Sequence, residues 1–202
     1  MEQPLIIYLH GFTSGPQSAK ARALGTRMAA RGLGARFVCP QLPAEPADAI
    51  ALAESLAARN YSGGGTALPA GDAITVVGSS LGGFYATVLA ERHGWRAVLI
   101  NPSVLPAMTI SRYLGPQQWL YTGKSFLVTP AHIAQLRAMQ LPAITRPERY
   151  WLLAEEGDET LDYRDAVRFY AGARQDVLPG GDHSFTRWPD YLDAVIAFAG
   201  FA

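Results

Sequence analysis

Short apolar runs recur along the chain, and most are followed by a stretch with the period of a helix. The first run, Leu5–Leu9, is continuously apolar and contains two isoleucines, which is typical of a strand buried on both faces. Five further strands are predicted at Arg36–Cys39, Ala73–Val77, Ala97–Ile100, Tyr150–Ala154 and Arg174–Leu178. The pattern therefore predicts six strands.

Helical patterns separate these strands. Helices are predicted at Gln17–Arg31, Ala47–Arg59, Leu81–His93, around Tyr163–Tyr170 and, with Pro189 near its first turn, around Trp188–Ala199. Strands that alternate with helices pair in parallel through right-handed crossovers. We predict an α/β fold: a three-layer α/β/α sandwich with a mostly parallel six-stranded sheet. A glycine-rich surface loop is predicted at Tyr61–Gly71.

The alternation is interrupted between residues 101 and 147, which carry several aromatic residues and a predicted helix at Pro130–Gln140. We interpret approximately residues 103–147 as a small helical insert that caps the sheet. Its aromatic side chains are predicted either to line an acyl pocket or to cover the sheet edge. No shift in composition marks a linker, so residues 1–202 are predicted to form a single domain.

Composition and charge exclude several classes of protein. Seventeen basic residues balance seventeen acidic ones without a basic cluster, so no nucleic-acid partner is expected. No apolar stretch approaches the ~20 residues of a membrane-spanning helix. The single cysteine, Cys39, excludes an internal disulfide and fits a reducing compartment, so a cytoplasmic location is expected. Cys39 itself is interpreted as a small buried hydrophobic residue.

The segment Gly78–Gly83 carries the clearest chemical signal in the chain. It reads GSSLGG between a predicted strand and a predicted helix, which is the G-x-S-x-G pattern of a nucleophile elbow with Ser80 at its tip. Gly78 and Gly82 flank the serine because a strained turn leaves no room for side chains beside it. Ser80 is therefore the predicted nucleophile.

A serine nucleophile requires a base that accepts its proton. His183 follows the last predicted strand in the loop GGDHSF, where the carboxyl ends of parallel strands meet. It is the predicted base. The other histidines are interpreted as a locally hydrogen-bonded loop residue, His10, and as surface or packing residues, His93 and His132.

A carboxylate is expected in the loop after the fifth strand, to hold the imidazole in one tautomer. Asp158 is favoured, because Gly157 permits a tight turn and aspartate has fewer loose torsions than glutamate. Asp162, Glu156 and Glu159 remain alternatives.

Two backbone N–H groups are predicted to face the oxyanion that ester hydrolysis generates. The Leu81 N–H begins a helix, where the dipole favours negative charge, and the Phe12 N–H follows Gly11 after the first strand. No cofactor is expected, because Gly78–Gly83 does not match G-x-G-x-x-G. No metal is expected either, since the histidines and the cysteine lack metal-ligand spacing.

The sequence resembles the small bacterial YqiA-like esterase family of the α/β-hydrolase superfamily. The resemblance rests on segments at Tyr8–Ala21, Pro40–Pro43, Val77–Thr87, Asn101–Pro106, Tyr121–Lys124, Gly157–Val167 and Gly180–Phe185. The resemblance implies carboxylesterase activity on acyl esters, with Ser80, Asp158 and His183 in the triad positions. The chain order Ser, Asp, His is also the usual order of this fold.

These observations favour a serine carboxylesterase that hydrolyses small acyl esters, with thioesters as a further possibility, through an acyl-enzyme. Two alternatives remain open. An acyltransferase would use the same acyl-enzyme with an acceptor other than water. A non-catalytic ligand-binding module would keep the fold without the chemistry.

Overall fold

The computed structural model describes residues 4–61, 68 and 71–202. Its strands are β1 (Leu5–Leu9), β2 (Phe37–Val38), β3 (Ile74–Ser79), β4 (Arg96–Ile100), β5 (Gly115–Gln118), β6 (Ser125–Val128), β7 (Tyr150–Glu155) and β8 (Arg174–Leu178). Its α-helices are α1 (Ala19–Ala30), α2 (Pro46–Tyr61), α3 (Leu81–His93), α4 (Pro106–Ile110), α5 (Pro130–Met139), α6 (Tyr163–Phe169) and α7 (Leu192–Phe198). The glycine-rich loop predicted at Tyr61–Gly71 lies mostly outside the described residues.

Six strands form one parallel sheet in the order β2-β1-β3-β4-β7-β8. All six correspond to strands predicted from the sequence. Every residue of β1, β3 and β7 is buried, because parallel sheets of this kind are covered by helices on both faces. The prediction of a six-stranded α/β sandwich is confirmed.

Alternating side chains of the central strands β1, β3, β4 and β7 pack in two separate hydrophobic cores. Leu5, Ile7 and Leu9 of β1 pack in the core that contains α2 and α3. Ile6 and Tyr8 point to the other face and pack with α1 and α7. This division follows from the two-residue period of a strand, and it gives the three layers.

The insert differs in part from its prediction. Its helix α5 is present, and the short helix α4 precedes it, but β5 and β6 form an antiparallel hairpin between them. The sequence analysis predicts a helical insert with one helix, at Pro130–Gln140, and no strand there. The segment GPQQ of β5 has no apolar alternation, so the usual strand signal is missing. The Trp119 ring, next to the end of β5, stacks on the Phe126 ring of β6, with ring centroids 4.4 Å apart.

The C-terminal helix also begins later than predicted. Trp188–Tyr191 form a 3₁₀ turn that contains Pro189, and the α-helix starts at Leu192. Across the described ranges, no helix is both long enough and apolar enough to cross a membrane.

Candidate active site

Ser80 occupies the tight turn between β3 and α3. Its backbone has φ 55° and ψ −120°, a region that costs a non-glycine residue of order 1–3 kcal/mol. The surrounding backbone maintains this conformation. The Ser80 N–H donates to the carbonyl of Ile100 at 3.0 Å, and the Ser80 carbonyl accepts from Gly83 at 2.9 Å and Ser103 at 3.0 Å.

The glycines beside Ser80 are required by close backbone approach. A Cβ on Gly78 would collide with the carbonyl of Gly82, and a Cβ on Gly82 would collide with the carbonyl of Leu9. Neither neighbour is a flexible side chain that can move away. The crowding expected from the sequence is present, and the backbone of the elbow packs directly against the end of β1.

Ser80, His183 and Asp158 form a continuous hydrogen-bonded chain. The His183 Nε2 lies 3.0 Å from the Ser80 Oγ, and its Nδ1 lies 2.8 Å from the Asp158 Oδ2. A carboxylate only accepts hydrogen bonds, so Nδ1 carries the proton and Nε2 is the acceptor for the serine hydroxyl. The structure brings together the three side chains that the sequence places on separate loops.

Asp158 is held rigidly where it meets the imidazole. Its side chain is 2% exposed, and its Oδ1 accepts from the N–H groups of Thr160 and Leu161 at 2.8 Å each. The alternative carboxylates have other positions. Asp162 caps α6, whereas Glu159 accepts from the backbone N–H of His183 at 3.0 Å. Hydrogen bonds from its own N–H and from that of His183 lower the pKa of the Glu159 carboxyl.

Two buried polar residues fix the loop that carries His183. The Asn101 Nδ2 donates to the carbonyl of Asp182 at 3.0 Å and to that of His183 at 3.3 Å, and its Oδ1 accepts from the Glu155 N–H at 2.9 Å. The Glu155 Oε2 accepts from the Asp182 N–H at 2.7 Å. Glu155 is fully buried, and Arg187 is its ion-pair partner at 3.7 Å. We call Asn101 and Glu155 the histidine-loop clamp.

The sequence analysis does not identify the clamp. Its available signal is position, because Asn101 directly follows β4 and Glu155 ends β7. Both are therefore at the carboxyl edge of the sheet, where sites of this fold lie.

The two predicted oxyanion donors lie beside Ser80. Phe12 and Leu81 both line the cavity that contains the serine, and a Cβ on Gly11 would be 3.2 Å from the Ser80 Cβ. Within the part of the chain that the structure describes, neither the Phe12 nor the Leu81 N–H donates a hydrogen bond. Both amides are thus available to a ligand.

His10 has the local role predicted for it. Its Nε2 accepts from the Leu42 N–H at 3.0 Å, so its Nδ1 carries the proton and donates to the Gly11 carbonyl at 2.9 Å. Burial lowers the pKa of the imidazole, which favours its neutral form. His93 pairs with Glu54, and His132 closes a capping box at the start of α5.

Ser80 opens into a cavity of about 580 Å³. Side chains from the insert, including Ile110, Tyr113 and Tyr121, line one part of it, while Trp119 and Phe126 of the insert stack on each other instead. Some aromatic residues of the insert therefore line the cavity, and their role as an acyl pocket stays a prediction.

The residues that the structure describes contain no cluster of three or more His, Cys, Asp or Glu side chains suited to a metal ion. Burial raises the pKa of the Cys39 thiol to about 12. This thiol is therefore protonated near neutral pH. Cys39 packs against the core as a hydrophobic residue, as predicted, but it is partly buried rather than fully buried.

Three solved structures share this architecture over nearly the whole chain, and each comparison covers 98% of it. Alpha/beta hydrolase domain-containing protein 10 from mouse matches with a TM-score of 0.67 at 17% identity, over 90% of its own length. The esterase domain of a Rhodothermus marinus protein matches with a TM-score of 0.65 at 19% identity, over 87% of its length. Est1E from Butyrivibrio proteoclasticus, with ferulic acid bound, matches with a TM-score of 0.63 at 16% identity, over 88%.

At these identities the likeness establishes the fold, which is that of the α/β-hydrolases. The family assignment has a separate basis. The model of the uncharacterised protein family UPF0227 matches residues 5–200, almost the whole chain. The resemblance drawn from the sequence motifs is thereby confirmed, and the chain, which has the α/β-hydrolase fold, belongs to UPF0227, the YqiA-like family.

Proposed function

We propose that the protein is a serine hydrolase of small acyl esters or thioesters, with Ser80 as nucleophile, His183 as general base and Asp158 as the residue that orients it. The observation that carries the proposal is the hydrogen-bonded chain from the Ser80 Oγ through both ring nitrogens of His183 to Asp158. A serine hydroxyl needs such a base to attack a carbonyl at neutral pH.

In the acylation step, the Ser80 Oγ bonds to the carbonyl carbon of the substrate and its proton passes to the His183 Nε2. The carbonyl oxygen becomes an oxyanion, which the N–H groups of Phe12 and Leu81 stabilise. Collapse of this intermediate breaks the bond to the leaving oxygen or sulfur, which takes the proton from Nε2. The product of the step is an acyl-Ser80 ester.

In the deacylation step, His183 removes a proton from a water molecule that attacks the acyl carbon. A second oxyanion forms at the same two amides, and its collapse returns the proton to the Ser80 Oγ and releases the acid. Preorganised donors of this kind typically contribute about 10²–10³-fold each to the rate.

The first test is active-site labelling. We expect a fluorophosphonate probe to modify Ser80, as mapped by peptide mass spectrometry, and the wild-type protein to hydrolyse 4-nitrophenyl butyrate. Ser80→Ala removes the nucleophile, so it should lose labelling and retain only the residual catalysis of roughly 10³–10⁴ over water that such sites show.

Ser125→Ala is the matched control, because Ser125 is an exposed residue of β6 outside the cavity. It should label and turn over like the wild type. Undiminished hydrolysis by Ser80→Ala, together with absent labelling of Ser80 in the wild type, would refute the proposal.

A further inference from the structure

Lys20 places a positive charge in the candidate active site. It is one of two lysines in the chain, it lies in the first turn of α1, and it lines the cavity together with Ser80 and His183. Its Nζ donates to the carbonyl of Ser184 at 2.6 Å. An ammonium has three donors, so this bond leaves donors for a ligand.

No carboxylate forms an ion pair with Lys20 among the described residues. The nearby acidic groups Asp182, Asp158 and Glu155 are already engaged, with Ser184, His183 and Asp182 respectively. Burial lowers the pKa of the Lys20 ammonium, and these carboxylates only partly oppose the effect. A partly desolvated ammonium of this kind gains from an anionic partner.

The Tyr8 hydroxyl supports the same conclusion independently. Tyr8 is fully buried and lines the cavity, and its hydroxyl lies near the Ser79 side chain. No atom of the described chain meets hydrogen-bond geometry with that hydroxyl. A buried polar group without a partner is destabilising, and a ligand in the cavity would provide the partner.

Tyr8 and Lys20 are on the same side of the cavity. Tyr8 packs in the core that contains Ala21 and Leu24 of α1, the helix in whose first turn Lys20 lies. No aspartate or glutamate is found among the described residues that line the cavity. This end of the cavity therefore presents donors and one positive charge without a competing carboxylate.

The position of His183 indicates which part of the substrate meets Lys20. In the proposed mechanism the leaving group takes its proton from the His183 Nε2, so it must lie next to that imidazole. Lys20 is bonded to Ser184, the residue that follows His183. The leaving group, rather than the acyl chain, is therefore the part nearest to the ammonium.

We propose that Lys20 and the hydroxyls of Tyr8 and Ser79 form an anion-binding subsite, and that the enzyme favours esters or thioesters whose leaving group carries a carboxylate or a phosphate. This inference rests on the proposed function. A purely structural alternative is that Lys20 tethers the histidine loop, in which case its loss would affect all substrates equally.

The experiment compares 4-carboxyphenyl butyrate with its neutral isostere 4-carbamoylphenyl butyrate. A third ester, 4-(phosphonooxy)phenyl butyrate, tests the phosphate, and monophenyl glutarate places a carboxylate on the acyl side. The variants are Lys20→Met, Lys20→Arg and the control Lys124→Met, which changes the other, exposed lysine. Thermal unfolding of each variant reports whether the fold is retained.

We expect Lys20→Met to lower kcat/KM by about 10–100-fold for esters with an anionic leaving group, the value of a hydrogen bond to a charged group. The neutral ester and the acyl-side carboxylate should change less than about threefold. Lys20→Arg should preserve the preference for the anionic ester, and Lys124→Met should match the wild type. A loss of kcat/KM in Lys20→Met for the phosphate ester alone would identify phosphate as the anion that the subsite binds.

An equal loss of kcat/KM for neutral and anionic esters would overturn the subsite in favour of a tether. An unchanged kcat/KM for every ester would also overturn the subsite, without supporting a tether. A binding measurement separates this outcome from failure of the proposed function. In a Ser80→Ala background, calorimetry with 4-hydroxybenzoate and 4-hydroxybenzamide tests Lys20→Met without turnover. Equal affinities for the two compounds with Lys20 intact would also overturn the subsite, whereas turnover of the neutral ester tests the hydrolase alone.

Discussion

At the scale of single residues, the candidate site depends on how tightly each polar group is constrained. Asp158 has both carboxylate oxygens engaged, one by His183 and the other by two backbone N–H groups. Ser80 is held in a backbone conformation that other residues of β3 and α3 do not share. Preorganisation of this kind leaves little to reorganise when a substrate binds.

Asp158→Asn tests the orienting role. The amide has nearly the same shape, but it cannot provide a carboxylate to the imidazole N–H, so the neutral ring loses its preference for the reactive tautomer. We expect kcat for 4-nitrophenyl butyrate to fall by about 10³–10⁴-fold, with a thermal unfolding midpoint close to that of the wild type.

Asp162→Asn is the control for this change, since Asp162 caps α6 and asparagine is an equally good cap. Steady-state kinetics should show near wild-type kcat for it. If Asp162→Asn loses activity while Asp158→Asn keeps it, the orienting carboxylate has been assigned to the wrong residue.

At the scale of elements, the carboxyl ends of the parallel strands bring the site together. Ser80 follows β3, Asp158 follows β7 and His183 follows β8, and the clamp residues belong to the ends of β4 and β7. The clamp explains how a loop at the edge of the sheet keeps one conformation. Its hydrogen bonds run to the backbone of Asp182 and His183, so the identity of those side chains does not determine them.

Asn101→Asp tests the clamp. Aspartate tolerates the backbone of Asn101, which has φ 41°, but it removes the donor to the carbonyls of Asp182 and His183. We expect kcat to fall by about 10²-fold through misplacement of the imidazole, and the free energy of unfolding to decrease by about 1–3 kcal/mol. Kinetics and denaturant titration measure the two effects, and unchanged kcat in a folded variant would show that the clamp does not position His183.

The sequence predicts the six sheet strands and the Ser80, Asp158 and His183 constellation, because both depend on local signals. Buried parallel strands are apolar runs, and a catalytic elbow needs glycine at fixed positions. The hairpin β5–β6 is missed because β5 lacks the alternation of apolar and polar residues that marks a strand. Stacking of Trp119 on Phe126 packs the two sides of the hairpin together. Asn101, Glu155 and Lys20 are missed because no local motif marks them and their partners are distant in the chain. The Lys20–Ser184 bond, for example, spans 164 positions, and no pattern along one sequence encodes it.

At the scale of the whole molecule, the cavity is assembled from the sheet edge and the insert. Ile110 of α4 is buried in the core shared with α2 and α3 and also lines the cavity. The insert therefore packs as part of the sandwich and also lines the cavity. Phe12 extends this packing, with its ring 5.3 Å from Tyr113 and 5.9 Å from Phe126.

Acyl-chain selectivity follows from this arrangement. We expect kcat/KM of the wild type to rise with chain length by up to about fourfold per methylene, from about 0.8 kcal/mol of burial each, until the cavity is filled. Ile110→Phe should move the optimum to a shorter chain because it occupies part of that space. A 4-nitrophenyl ester series from acetate to decanoate measures the shift.

Met108→Phe is the matched control on the same helix, because Met108 is 57% exposed and lies outside the cavity lining. It should leave the optimum in place. An Ile110→Phe optimum equal to that of the wild type would show that the acyl chain does not reach α4.

The place of β8 in the sheet has a consequence for how the protein loses activity. Among the strands that the structure describes, β8 lies at one edge of the sheet, pairs with β7 alone and carries partly solvated side chains, so it is prone to fray. Detachment of β8 would move the His183 imidazole away from Ser80, while the rest of the sandwich stays folded. In a urea titration, ester turnover should therefore disappear before the helical circular dichroism signal does, and coincident transitions would contradict this.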